Sequence, residues 1–237
     1  MAGNDAGPSA LTHARVAGLL YLVIIVCGVA GEFFIRSSLI VPGDGAATAA
    51  NIAAAPGLFR AGFAADAIMV LSDVALAVLL YRLLRPVSET LALLAAAFRL
   101  VQAGVLGVNL LNYYAPILLL TGTGYASALG AEQTHALVSF FLDLHGHGYD
   151  LGLLFFGLSN LVLGYLVARS GFLPAVLGYG LQAAGVVYLL GSFTRFLLHG
   201  YLSVVEPLYL VPLVAELAFC LWLLMKGVRT DVRAHAS

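Results

Sequence analysis

Apolar runs of about 20 residues recur along the whole chain, each long enough for an α-helix to cross a bilayer. Hydrocarbon offers no water to a backbone N–H or C=O, so only helices and closed barrels survive in it. The chain therefore reads as all-α, a polytopic integral membrane bundle of six transmembrane helices. The spans fall at roughly Arg15–Ile35, Arg60–Tyr81, Leu91–Leu120, Ala136–Ala168, Pro174–Phe196 and Pro207–Lys226. Helix-breaking signals separate them: Pro42-Gly43-Asp44, Arg85-Pro86, Thr121-Gly122-Thr123-Gly124, Ser170-Gly171 and Glu206-Pro207. Only 10% of the 237 residues are charged, against about 25% in a soluble domain. Residues 1–237 read as a single transmembrane domain, with tails at 1–14 and 227–237 flanking the bundle at 15–226.

Lys and Arg orient the bundle. Arg15, Arg82, Arg85, Arg169, Lys226, Arg229 and Arg233 fall at one set of helix ends, and Arg36, Arg60 and Arg195 at the other. The positive-inside rule then places both termini in the cytoplasm, as in a multi-pass protein of the bacterial cell (inner) membrane. The run Val16 to Ala30 reads as a retained helix, because Val29-Ala30-Gly31 is a poor cleavage site. A net charge of −1 and the lack of a basic tract argue against nucleic acid as a partner, leaving the lipid bilayer and a small polar ligand or ion. Cys27 and Cys220 lie inside apolar runs and read as free thiols. The residues Ala46–Ala55, before Pro56, have the composition of a short interfacial helix or an Ala-rich linker.

Polar residues inside the spans are costly and so mark contacts or function. Counted inward from the cytoplasmic helix ends, Asp73 and Arg99 lie at about 12–13 Å on consecutive antiparallel helices. They are expected to pair, with Glu216 and Gln102 completing a buried ion-pair network and Asn160 and Gln182 near the same level. Glu32, Asp66, Asn109, Asp150 and Glu206 form a second layer at about 24–30 Å, with His147, Arg195 and His199 slightly beyond. The stretch FFLDLHGHGYDLGLLFFG, Phe140 to Gly157, supplies much of it. At about 100° per residue, Asp143, His147 and Asp150 share a helix face and His145 points almost opposite. Asp66, Asn109, Asp143, His147 and Asp150 are thus the candidate ligand-binding residues, around a polar cavity opening outward. Gly62-x-x-x-Asp66 with Tyr81-x-x-x-Arg85 also matches Gly146-x-x-x-Asp150 with Tyr165-x-x-x-Arg169 at one offset, the pattern of an internal repeat.

These residues admit several chemistries. Carboxylates beside a histidine suit a protein that binds or moves protons, a cation or a small polar solute. His147, His199 and Asp150 are the zinc ligands of choice if a metal is bound, which would suit a metal-dependent intramembrane hydrolase acting on lipid headgroups. His147 and His199 are also the pair available to a haem. A non-catalytic subunit, its polar layers serving only as glue between helices, is the remaining reading. No P-loop, nucleophile elbow or His-Glu-x-x-His occurs, so catalytic residues and cofactors are undetermined from sequence.

The start ARVAGLLYLV, the loop TAANIAAAPGLFRAGF and the stretch LGLLFFGLSNLVLGYLVARSGFLPAVLG, with its Arg169–Pro174 corner, resemble a bacterial multi-pass membrane family catalogued as domain of unknown function 4386. The resemblance covers nearly the whole chain and implies the six-span fold. It implies no activity. A fainter likeness to seven-span membrane hydrolases rests on Ser72, Asp73, His147 and His199, but their C-terminal His pair is missing here.

Overall fold

The computed structural model describes residues 8–122 and 124–228, without the side chains of residues 8, 9, 126 and 199. Six of its helices are long and apolar enough to cross a membrane, and no strand occurs among the described residues. Helix α1 (Pro8–Val29) runs into a π-helical stretch, Ala30–Arg36, and a last turn, Ser37–Leu39. A short helix α2 (Gly45–Ala54) follows, then α3 (Pro56–Leu84), α4 (Glu89–Thr121), α5 (Ala131–Arg169) and α6 (Ala175–Leu197). Single turns at Leu202–Val205 and Glu206–Tyr209 lead into α7 (Leu210–Met225).

Between 22% and 56% of each span's most apolar stretch is buried, so much apolar surface points outward. That is the expected arrangement where lipid, not water, is the solvent. Helix α5, at 39 residues, is about 58 Å long and overshoots a hydrocarbon layer of about 30 Å.

The chain divides into two compact units: Met1–Val23, Ser72–Ala103 and Asp150–Ser237 form unit one, and Ile24–Leu71 with Gly104–Tyr149 forms unit two.

In unit one, α5 and α6 meet backbone to backbone. A Cβ built on Gly157 would lie 2.9 Å from Gly185 O, and one on Gly164 would lie 2.5 Å from Gly178 O. The two glycine pairs sit seven residues apart on each helix, a seam where only hydrogen fits. The corner between these helices uses Gly171 at φ +72°, a left-handed conformation that L side chains rarely adopt. Ser170 Oγ accepts from Leu173 N at 3.2 Å, and Pro174 then precedes α6. Tyr21 packs edge-on to Phe219 with ring centroids 6.0 Å apart, and Cys220 Sγ donates to Gly18 O at 3.3 Å. Both cysteines are free.

In unit two, Ile35, Leu39, Ala49, Ile52, Phe59, Tyr113, Ile117, Val138 and Leu142 form the core. Helix α2 realises the helical alternative for the Ala-rich stretch. Asp44 caps it by accepting from Ala47 N at 2.8 Å, and Ala49 and Ile52 turn into the core. Thr48 Oγ1 accepts from Val41 N at 2.9 Å and Asn51 Nδ2 donates to Leu39 O at 3.2 Å, fixing the preceding loop against the helix.

Candidate functional site

The strongest polar cluster in unit two is built around Asp66 of α3, which is 2% exposed. Arg36, at the end of the π-helical stretch, donates from Nη1 to Asp66 Oδ2 at 2.7 Å and from Nε to Glu32 Oε2 at 2.7 Å. Glu32, with its side chain 62% exposed, is the open end of this chain of charges and Asp66 the closed end. A π-helix holds more residues per turn than an α-helix and often marks a functional position. Gly31, in that stretch, leaves the space: a Cβ there would lie 3.2 Å from Asp66 Oδ1 and 3.3 Å from Arg36 Nη2.

His145 of α5 approaches from another side, its Nε2 4.0 Å from Asp66 Oδ2. Asn109 of α4 holds it. Asn109 Nδ2 donates to His145 O at 2.8 Å and lies 3.2 Å from His145 Nδ1. Asn112 Nδ2 donates in turn to Asn109 Oδ1 at 3.0 Å. In the tautomer whose Nδ1 accepts from Asn109, Nε2 carries the proton and faces Asp66. Tyr113 closes the cluster, stacked on Phe59 at 4.5 Å, its hydroxyl donating to Phe59 O at 3.2 Å. The His145 ring lies 5.1 Å from the Tyr113 ring, and the Arg36 guanidinium 5.9 Å. Asp66 Oδ1 is buried with no hydrogen-bond partner among the described residues.

Of the residues singled out from sequence, the structure brings Asp66 and Asn109 into this cluster. It places Asp143 at the surface, with His147 Nδ1 2.8 Å from the Asp143 carbonyl oxygen. Asp150 is buried elsewhere and pairs with Arg195 in unit one. Asp143 and His147 share a helix face, as phase predicts, but that face is not buried: Asp143 is exposed and His147 half-buried. His145, expected to point almost opposite, is the buried one of the two histidines. Helical phase says which residues share a face and not which face is covered: Thr134, Val138, Leu142 and His145 lie along one buried stripe of α5, and Asp143 lies outside it. In sequence Arg36 is one of the charges at the helix ends opposite the termini. Its signal was available as Glu32-x-x-x-Arg36, an i,i+4 pair one turn beyond an apolar run.

The repeat positions are not equivalent in surroundings. A Cβ at Gly62 would strike the Tyr113 hydroxyl, whereas one at Gly146 meets nothing within 4 Å. A Cβ at Gly148 would collide with the Asn109 side chain. Gly148→Ala should therefore push Asn109 off His145 and lower stability by about 1–3 kcal/mol. Gly146→Ala, into open space, should not lower it. Unfolding midpoints of the two purified variants in one detergent give the comparison.

A second polar layer lies in unit one. Arg99 of α4, 1% exposed, donates from Nε to Asp73 Oδ1 of α3 at 2.5 Å, the contact expected from depth. Its guanidinium lies 5.2 Å from the Tyr21 ring centroid and 4.8 Å from that of Phe156, cation–π contacts on two sides. Glu216 of α7 accepts from Asn160 Nδ2 of α5 at 2.9 Å. Ser159 Oγ donates to Ala95 O at 2.8 Å, tying α5 to α4.

Among the described residues no three His, Cys, Asp or Glu side chains are grouped so as to hold a metal ion. The His199 side chain, one of the ligands considered from sequence, lies outside the described residues.

The family described as domain of unknown function (DUF4386) matches residues 16–227. An uncharacterized protein of Archaeoglobus fulgidus is 32% identical over 160 residues, covering 68% of this chain and 80% of that protein. No solved structure matches.

Proposed function

We propose, for a chain that belongs to the DUF4386 family, that it takes up and releases protons at Asp66 within the membrane, alone or together with a small polar solute. The observation that carries this reading is the state of the Asp66 carboxylate. One oxygen is held by Arg36, and the other is buried and open. The imidazole of His145 stands 4.0 Å from the held oxygen. A group serving only as helix glue would be expected to use both oxygens, because an unpaired buried acceptor costs about 1–3 kcal/mol. The open carboxylate oxygen offers a place for a proton to land, while the His145 N–H faces the oxygen that stays held. Arg36 keeps the carboxylate paired while it is ionised, and Glu32 keeps Arg36 paired when Asp66 is neutral.

In this reading both termini lie in the cytoplasm, the membrane is the cell's inner membrane, and the Asp66 cluster faces the opposite side, through a polar cavity opening outward. The test is proton flux into liposomes holding the purified protein, followed with an enclosed pH-sensitive dye under an imposed pH gradient and a clamped potential. Wild type should dissipate the gradient faster than empty liposomes. Asp66→Asn, which keeps the shape and loses the ionisable oxygen, should fall to the empty-liposome rate. Equal rates for wild type and Asp66→Asn would remove Asp66 from the function.

A further inference from the structure

The Arg99 layer of unit one contains more than an ion pair. Beyond the Nε contact with Asp73, Arg99 keeps both Nη1 and Nη2 buried and without a hydrogen-bond partner among the described residues, and so is the hydroxyl of Tyr21, whose ring faces the guanidinium. Gln102 Oε1 and Asn160 Oδ1 are likewise buried and unpartnered. The layer thus holds unmet donors and unmet acceptors together. An anion would meet only the donors and would add to two acids already there. A metal cation would face a guanidinium. Water both donates and accepts, and matches the set.

Arg99 also lines a pocket whose walls include Ala77, Leu80, Tyr81, Ala95, Ser159 and Leu163. Its internal room of about 10 Å³ is close to what one water requires. The pocket extends along α3 and α4 towards Tyr81 and Leu84, near the end of α3, so it gives water a direction of entry.

The charges around Arg99 do not balance. Every span contributes a group: Tyr21 from α1, Asp73 from α3, Arg99 and Gln102 from α4, Asn160 from α5, Tyr188 from α6 and Glu216 from α7. Of these, Glu216 lies within electrostatic range of Arg99 and Asp73 and is hydrogen-bonded by Asn160 and Tyr188. Fully ionised, one guanidinium and two carboxylates leave a net negative charge in a layer where all three residues are at most 7% exposed. Hydrocarbon surroundings disfavour that charge, and one bound proton removes it. Asp73 is committed to Arg99 Nε, which leaves Glu216 to carry the proton.

We infer that Glu216 is a proton-binding site of unit one, with the Arg99–Asp73 pair as its fixed counterpart and water reaching it through the Tyr81 pocket. Binding transfers a proton from a hydronium ion in that water to a Glu216 carboxylate oxygen, leaving a water molecule and a neutral acid. The inference stands on unit one alone and does not depend on the reading of Asp66.

Infrared spectroscopy of the whole protein in lipid bilayers at neutral pH tests it, with glutamate carboxyls labelled by carbon-13 so that they separate from aspartates. Wild type should show a neutral-acid C=O band that carries the glutamate label and is missing in Glu216→Gln. Asp73→Asn should abolish the same band, because Arg99 then needs the Glu216 charge; a purely structural Glu216 would not respond. In heavy water the band should shift promptly in wild type and an order of magnitude more slowly in Ala95→Leu, which fills the pocket. The site is overturned if wild type lacks a labelled band, or if the band survives in Asp73→Asn. The water route is overturned if Ala95→Leu exchanges as fast as wild type. Should Glu216→Gln not fold, the label and Asp73→Asn still decide.

Discussion

Arg99→Met should leave little folded protein, and its unfolding free energy in a denaturing-detergent titration should fall by about 3–5 kcal/mol, the cost of breaking a buried ion pair. Such a loss is a large part of a total stability of about 5–15 kcal/mol. The physical cause is what remains. With the guanidinium gone, Asp73 at 3% exposure and Glu216 at 7% lose the cation that acts on both. The rings of Tyr21 and Phe156 lose the ion that lay between them. Asp73→Asn should be milder, since Arg99 keeps a Glu216 carboxylate within range. Arg99→Met combined with Asp73→Leu should regain much of the loss, because apolar replacement of a whole buried pair is often close to neutral. If Arg99→Met cost less than about 1 kcal/mol, the range of an exposed pair, the layer would be no structural centre of unit one.

The Asp73–Arg99 contact was legible in sequence for a definite reason. The two residues sit on helices joined by a four-residue link, residues 85–88, so their depths are counted from nearly the same point. Straight helices then preserve the match. The six spans were legible for a related reason: hydrocarbon leaves a chain few options, and Pro, Gly and charged residues punctuate the runs. Legibility ended where a local departure or a neighbour decided the outcome. The π-helical stretch Ala30–Arg36 shifts the phase of everything after it, and nothing in AGEFFIR announces that shift. It is this stretch that delivers Arg36 to Asp66. His145 and His147 are two residues apart, and only packing against Asn109 and Tyr113 selects the first. Asp150 shares the azimuth of Asp143 and still has a different fate, because Arg195 of α6 stands opposite one and solvent or lipid opposite the other.

The glycine seam between α5 and α6 should be as intolerant as the Arg99 layer, for a steric reason. Gly178→Ile is expected to yield no protein that elutes as a single species in size-exclusion chromatography. A Cβ at Gly178 would meet the Gly164 carbonyl oxygen, and it would lie 2.5 Å from Ala168 N and 2.8 Å from Ala168 Cβ. Two of these three neighbours are backbone atoms of a helix, which cannot rotate away as a side chain can. Relief requires the helices to part, and parting them also opens the Gly157–Gly185 contact seven residues further on. Overpacking a well-fitted core costs about 1–3 kcal/mol when side chains can yield, and a backbone collision leaves that route closed. Gly178→Ala should already lower the unfolding midpoint. Gly104→Ala makes the comparison, since a Cβ there meets nothing within 4 Å and alanine is the better helix former by about 1 kcal/mol. If Gly178→Ile folded as well as Gly104→Ala, α5 and α6 would not be in backbone contact. In a membrane, where apolar side chains gain nothing by leaving lipid for one another, close backbone approach is a main source of helix association. Small residues at matched positions are therefore expected to hold α5 to α6 more firmly than any exchange of larger apolar side chains across the same seam could.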